Sequence, residues 1–391
     1  MSSFTRFALP LLAAATTVFA QCSDSATRTI ENAQDATAIA ECQTFSGNLA
    51  IATGVAGDIA MNNIQKITGN LVISANTGLK SLGADSLEEI EGEFRLDDIQ
   101  NLVAANFPKL KTVDSLRLNA LPNLQNLGFD AEITKAKSIS VENTQLQSLK
   151  GINIETTEKI LIANNIYLEE IEMQLSDISN ALDISNNNLG VNVSFPNLEN
   201  AFNLTFRNCS SVKVPSLASL NGSLGLYSNG FSEFSAPNLT EIGGALALVS
   251  NEQLSNLTFP KLTEVKFNLQ IANNTKLDEV NGLPQLKTVG GALDMYGNMS
   301  KVETPKLADV KGAFNLQSTG DVTEACNGYK SMKDKKAIKG KYFCEGKVET
   351  PGGEGTGSAG KNNDDKEGAA SSLNVQNGAL ALAAMAAVFL I

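Results

Sequence analysis

The stretch APNLTEIGGALALVSNEQLSNLTFPKLTEVKFNLQIANNTKLDEV, residues 236–280, contains one pattern twice. Pro237, Leu239, Ile242, Leu246, Leu248 and Asn251 recur as Pro260, Leu262, Val265, Leu269, Ile271 and Asn274, each 23 residues later. Leu246/Leu248 and Leu269/Ile271 each enclose one outward residue, and alternation at period two marks a strand with one buried face. One short strand per copy, returning at this interval, reads as one coil of a solenoid.

Outward from this stretch the core pair persists as Leu49/Ile51, Leu71/Ile73, Phe94/Leu96, Leu116/Leu118, Ile139/Val141, Ile160/Ile162, Leu182/Ile184, Leu204/Phe206, Leu224/Leu226, Leu293/Met295 and Phe314/Leu316. From Leu71 onward the first members are 20 to 24 residues apart, about 22 on average. Eight of the ten prolines, Pro108, Pro122, Pro196, Pro215, Pro237, Pro260, Pro284 and Pro305, stand two residues before a leucine. Proline has no N–H for a ladder, so each marks the first residue of a strand or a corner, here read as the entry to a second short strand in its coil. Asn76, Asn165, Asn187, Asn229, Asn251, Asn274 and Asn298 each stand five residues past a first core residue. This fixed register predicts an internal asparagine ladder that satisfies backbone groups at the bend. The pattern predicts a mainly β chain, a right-handed parallel β-solenoid of about a dozen coils.

An open solenoid needs caps, and the cysteines stand where caps belong. Cys22 and Cys42 lie before the first coil, Cys326 and Cys344 after the last, and Cys209 in the middle. In an oxidising compartment the end pairs predict Cys22–Cys42 and Cys326–Cys344 bonds. Each closes a loop that contributes about 3 kcal/mol against unfolding in the chain-entropy picture. Cys209 is read as a buried thiol acting as a small hydrophobe. Residues 32–41 (NAQDATAIAE) predict a short cap helix.

Both termini carry processing signals. Residues 1–20 predict a signal peptide with Arg6 as its basic region, cleaved before Gln21. The solenoid with its caps then spans 21–344, and 345–368 is a Gly-rich tether without core-forming residues. The apolar run 378–391 is short for a span and follows small residues at 368–370, which predicts GPI attachment at Gly368 and removal of 369–391.

Composition narrows the chemistry. The 391 residues include no histidine and no tryptophan and carry a net charge of −12. Without histidine the usual general base, zinc ligand and nucleophile-activating partner are missing, and the negative charge argues against nucleic acid. No cofactor or metal is predicted. Paired carboxylates remain as an enzymatic alternative. Asp97, Asp183 and Asp294 are the outward candidates, but Asp183 and Asp294 lie about 24 Å apart at one strand spacing per coil, too far to cooperate.

The text NLTFRN, VPSLASLNGSLGLYSN, FSAPNLTEIGGALALVSN, FPKLTEV, LQIANN, KTVGGALDM and VKGAFNLQS, between Phe202 and Gln317, resembles the fungal GPI-anchored cell-wall organisation family. That family is distantly related to the receptor L domain. The spacing L-x-L-x-x-N-x-x-L, seen from Leu269 to Leu277, departs from the ordinary leucine-rich consensus and argues against a horseshoe with helical backs. The resemblance implies a glycosylated protein of the plasma-membrane surface and wall, needed for wall integrity, with no catalytic residues to carry over. Expected partners are wall polysaccharide or wall proteins, and the membrane through the lipid. A glycan- or protein-recognising receptor is a further alternative.

Eight N-x-[ST] sequons, at Asn192, Asn203, Asn208, Asn221, Asn238, Asn256, Asn273 and Asn298, leave the chain before Asn192 bare. Outward positions of the main strands, Glu93, Arg95, Asp97, Ser115, Arg117, Asn119, Tyr227, Val249 and Tyr296, predict a continuous contact face, with Arg95, Arg117, Tyr227 and Tyr296 as its principal candidates. Lys330, Lys333, Lys335, Lys336, Lys339 and Lys341 crowd the C-terminal cap and predict a basic patch facing anionic lipid or acidic polymer.

Overall fold

A computed structural model describes residues 22–353. The leader, Gly368 and the terminal hydrophobic run lie outside the described residues. The chain winds as a parallel β-solenoid of about 13 turns. Main strands stack in unbroken register, so that Leu224, Leu246, Leu269, Leu293 and Phe314 form one column. Both members of every core pair from Leu71/Ile73 to Phe314/Leu316 are at most 1 % exposed. Each such leucine or isoleucine contributes about 1.5–3 kcal/mol by leaving water, so the stack drives folding coil by coil.

Each coil has two further short segments. A back ladder is built from strands such as Glu170–Glu172, Asn192–Ser194 and Ser211–Lys213. A third ladder, including Glu241–Ile242, Glu264–Val265 and Thr288–Val289, lies just before the main strand. The prolines do not open the second strand as the sequence suggested. They follow it, in a turn closed by bonds such as Leu239 N–H to Ala236 O (3.3 Å) and Leu262 N–H to Phe259 O (3.3 Å). The second position of such a turn needs no N–H and favours the proline φ, so a corner suits it better than a ladder.

The asparagine ladder runs along the bend after the main strand. Asn251 accepts from the Asn229 N–H and Nδ2 (both 2.9 Å), and donates Nδ2 to Leu226 O (3.0 Å) and Asn274 Oδ1 (3.1 Å). Asn165 and Asn187 repeat this arrangement. The preceding residue is left-handed in coil after coil, with φ of 60° at Asn164, 52° at Ser228 and 57° at Ser250. Asparagine tolerates that region; the ladder holds serine and alanine there as well. Asn298 departs from the expected ladder: it is exposed. Gly297 before it sits at φ 156°, a positive-φ conformation that L side chains rarely adopt, far from the 50–60° of its counterparts, so the bend differs, and Ser318 Oγ donates to Met299 O one coil on.

Cys209 occupies the ladder position of its own coil, with its N–H held by Asn229 Oδ1 (2.9 Å). It is fully buried and in no disulfide, with its Sγ donating to Arg207 O (3.6 Å), and burial pushes its thiol up to about 12. A thiolate is the reactive form, so native protein at pH 8 should leave Cys209 unlabelled by iodoacetamide, while urea-unfolded protein reacts fully. Rapid native labelling would show that the bend opens.

Disulfides join Cys22 to Cys42 and Cys326 to Cys344, with Cα separations of 5.6 and 5.5 Å. The N-terminal cap helix, α1 (Ala33–Ile39), is closed by Asn32 Oδ1, which accepts from Gln34 and Asp35 N–H. Two strands lacking the repeat wording extend the main sheet. Ser23–Ile30 pairs with Thr44–Ile51, and Tyr342–Glu345 pairs with Phe314–Ser318. The second cap helix, α2 (Thr323–Asp334), packs Tyr329 against Phe314, ring centroids 4.5 Å apart. The tether expected from residue 345 starts later, because Gly352 O accepts from Asn315 Nδ2 (2.9 Å) and Gln317 Nε2 (2.7 Å).

Candidate contact face

Outward residues of the main strands form one long polar sheet surface. In its N-terminal part Asp97 accepts from Arg95 Nε (3.1 Å) and Asn119 Nδ2 (2.8 Å), and Arg117 Nε approaches at 3.9 Å. Burial pushes the Asp97 carboxyl up, but the bonds from Arg95 and Asn119 and both positive charges outweigh it and hold the group below its ordinary value. Asn119 continues the row by accepting from Asn143 Nδ2 (2.9 Å), which in turn accepts from Asn164 (3.3 Å). Arg117 Nε is buried without a hydrogen-bond partner. Arg95 and Arg117 are half-buried, so each stem is fixed while part of the guanidinium stays in water.

Further along, Tyr227 is not the open platform expected. It is 6 % exposed, because Arg207 lies over its ring at 4.2 Å and the ring lies across Gly225. Tyr296 is half-buried, and a β-carbon on Gly353 would come within 3.7 Å of its hydroxyl, so the end of the described chain crosses this part of the face. The usable face is therefore the Arg95–Asn119 region more than the tyrosines.

The three outward carboxylates sit in different surroundings. Asp294 accepts from Asn315 Nδ2 (2.7 Å) and Gln270 Nε2 (3.2 Å). Asp183 has one oxygen, Oδ1, buried with no hydrogen-bond partner. Burial drives its carboxyl upward, against the pull of Ser185, Arg207 and Lys159. A raised folded value means that the native state binds the extra proton, so this group's contribution falls as pH rises through the window above 3.8. Asp183→Asn should therefore raise the urea midpoint at pH 7, with the gap to the parent closing as pH falls toward that value. An unchanged or lower midpoint at pH 7 contradicts the burial.

The sequons surround the coil on several sides. Asn192, Asn221, Asn256, Asn273 and Asn298 are exposed. Asn203, Asn208 and Asn238 are half-buried, with amides bonded to Ser223 N–H, Asn186 Oδ1 and Pro215 O respectively. In the lysine-rich cap Lys333 Nζ is tied to Gly340 O (2.6 Å) and Lys339 to Asp309 (3.0 Å). Lys330 pairs with Asp334 at 3.7 Å, which leaves Lys335, Lys336 and Lys341 exposed and unpaired. Among the described residues no group of three or more His, Cys, Asp or Glu is placed to hold a metal ion, and no helix is long and apolar enough to cross a membrane.

Fold and face define a disulfide-capped parallel β-solenoid that displays an open polar sheet. The family described as Ecm33, GPI-anchored cell wall organization protein, matches residues 2–40. A "Cell surface GPI-anchored protein" of Arthroderma benhamiae is 37 % identical over 89 % of this chain and 89 % of its own length. "Protein ecm33" of Aspergillus fumigatus is 37 % identical over 89 % and 87 %, and "Cell wall protein ecm33" of Schizosaccharomyces pombe 33 % identical over 89 % and 82 %. The chain belongs to the Ecm33 family of GPI-anchored cell wall organization proteins. No solved structure matches it.

Proposed function

We propose that the chain works at the outer face of the plasma membrane and in the cell wall as a non-catalytic scaffold, docking wall polysaccharide on the Arg95–Asn119 region of its sheet. The supporting observation is the face itself. It is open and polar, its guanidinium and amide groups are held in fixed rows, and it lies in the part of the chain before the first sequon, Asn192. Fixed donors and acceptors at one strand spacing suit a polymer with repeating hydroxyls. Asp97 and Asp294 are occupied by hydrogen bonds from neighbouring side chains, which supports a structural role for them.

Cells lacking the protein are expected to become hypersensitive to wall-binding dyes. Full-length protein with Asp97, Asp183 and Asp294 all changed to Asn should restore resistance, whereas Arg95→Ala/Arg117→Ala should not, although it reaches the surface. A form truncated at Gly360 should also fail, because anchoring supplies local concentration. A surface-exposed Asp→Asn triple variant that does not rescue would favour carboxylate catalysis.

A further inference from the structure

The corner just before the main strand bears Phe202, Gly222, Gly244 and Phe267 in four successive coils. Backbone bonds stack them: Gly222 N–H to Phe202 O (2.8 Å), Gly244 N–H to Gly222 O (2.7 Å) and Phe267 N–H to Gly244 O (3.1 Å). The two phenylalanines are 43 % and 62 % exposed, unusual for such large apolar side chains in this fold. Three strand spacings, about 14 Å, separate them. Between them Gly222 and Gly244 are buried against the neighbouring coil, with Asn203 Oδ1 and Ser223 Oγ beside them, and Gly243 is partly open. A β-carbon would stand 2.5 Å from Phe202 O at Gly222, 2.2 Å from Asn221 O at Gly243 and 2.3 Å from Ser223 Oγ at Gly244.

Asn221 stands on the rim of this trough. It is exposed, it opens the sequon Asn221-Gly222-Ser223, and its side-chain amide makes no hydrogen bond among the described residues. Asn203, the other sequon at this corner, is half-buried and its side-chain carbonyl is held by the Ser223 N–H (2.9 Å).

We propose that the trough is the docking site of the protein's own N-glycan at Asn221, with the inner N-acetylglucosamine units lying over Gly243 between the two phenyl rings. Attachment forms a bond from Asn221 Nδ2 to sugar C1. The C1–O bond to the lipid diphosphate donor breaks, and the amide loses one proton. A pyranose has an apolar C–H face that packs on an aromatic ring, while its hydroxyls and acetamido group stay in water or meet the backbone floor. Tethering at the rim gives this glycan a high effective concentration, so a free wall glucan is outcompeted here. The docked sugar covers two apolar rings that otherwise face solvent.

The test uses full-length protein from an N-glycosylating fungal host, digested natively with an endoglycosidase and followed site by site by peptide mass spectrometry. The Asn221 glycan is expected to be released about tenfold more slowly than the glycan at exposed Asn256. Denaturation, or the exposed-site variant Phe202→Gln/Phe267→Gln, should abolish that difference. Asn221→Gln should lower the thermal midpoint of the parent but not of the double-glutamine variant. Equal release from Asn221 and Asn256, protection that survives loss of both rings, an Asn221 peptide without sugar, or an equal effect of Asn221→Gln in both backgrounds overturns the proposal.

Discussion

Asn251→Leu is expected to cost about 3–6 kcal/mol of unfolding free energy, far more than its size suggests. Leucine fills much of the volume but takes the side-chain partner from the Asn229 N–H and the Leu226 carbonyl and removes one bond each from the Asn229 amide, which keeps Phe206 O, and the Asn274 carbonyl, which keeps the Asn251 N–H, in a bend that is 0 % exposed at this position. Desolvated donors and acceptors that lose their partners carry the whole penalty, whereas an exposed asparagine has water to fall back on. Asn298 has the same place in the repeat yet stands in solvent, so Asn298→Leu should stay within about 0.5 kcal/mol. Urea unfolding of the two variants checks this pair. Similar losses would mean that the ladder amides do not hold the bends.

Leu248→Asp is expected to have the largest effect of any single change, more than about 4 kcal/mol, with loss of cooperative unfolding. Leu248 is 0 % exposed and registers between Leu226 and Ile271, so the carboxylate has neither water nor a partner. Because each coil is stabilised mainly by its neighbours, the defect spreads along the stack. Val249 next to it points to the sheet surface and is only half-buried, and Val249→Asp should be much milder. Circular dichroism melts and limited proteolysis compare them. If the two variants behave alike, the inward and outward assignment is wrong.

The core and the ladder were legible in the sequence because burial there follows from a single strand: what alternates along it decides what faces in. Asn298 breaks the ladder because the residue before it, Gly297, takes φ 156°, a conformation open to glycine and rarely to other residues, so the glycine in place of the usual Asn, Ser or Ala was the one signal. Cys209 was read as buried but not as a ladder member, although its spacing from Leu204 carries that information. Tyr227 was misread because exposure on a sheet surface is set by the adjacent coils. Arg207 on one side and the missing side chain of Gly225 let the ring lie flat and disappear. The terminal strands Ser23–Ile30 and Tyr342–Glu345 escaped detection because each has a neighbour on one side only and needs no two-sided repeat pattern.

The clip between Cys326 and Cys344 governs how the molecule bears traction. If the chain is anchored at its C-terminal end, a pull enters through residues 346–353, where Gly352 O is held by Asn315 and Gln317 and the Val348 N–H by Ser318 O, and passes from there to the edge strand Tyr342–Glu345. Four residues paired on one side would peel bond by bond, but Cys344 is bonded to α2, and α2 is seated on Phe314 through Tyr329, whose hydroxyl meets Thr304 Oγ1 at 2.9 Å. The load is thus spread over the last coils instead of being focused on one ladder. Coils nearer the N terminus lie off the line of force unless something outside the chain holds them.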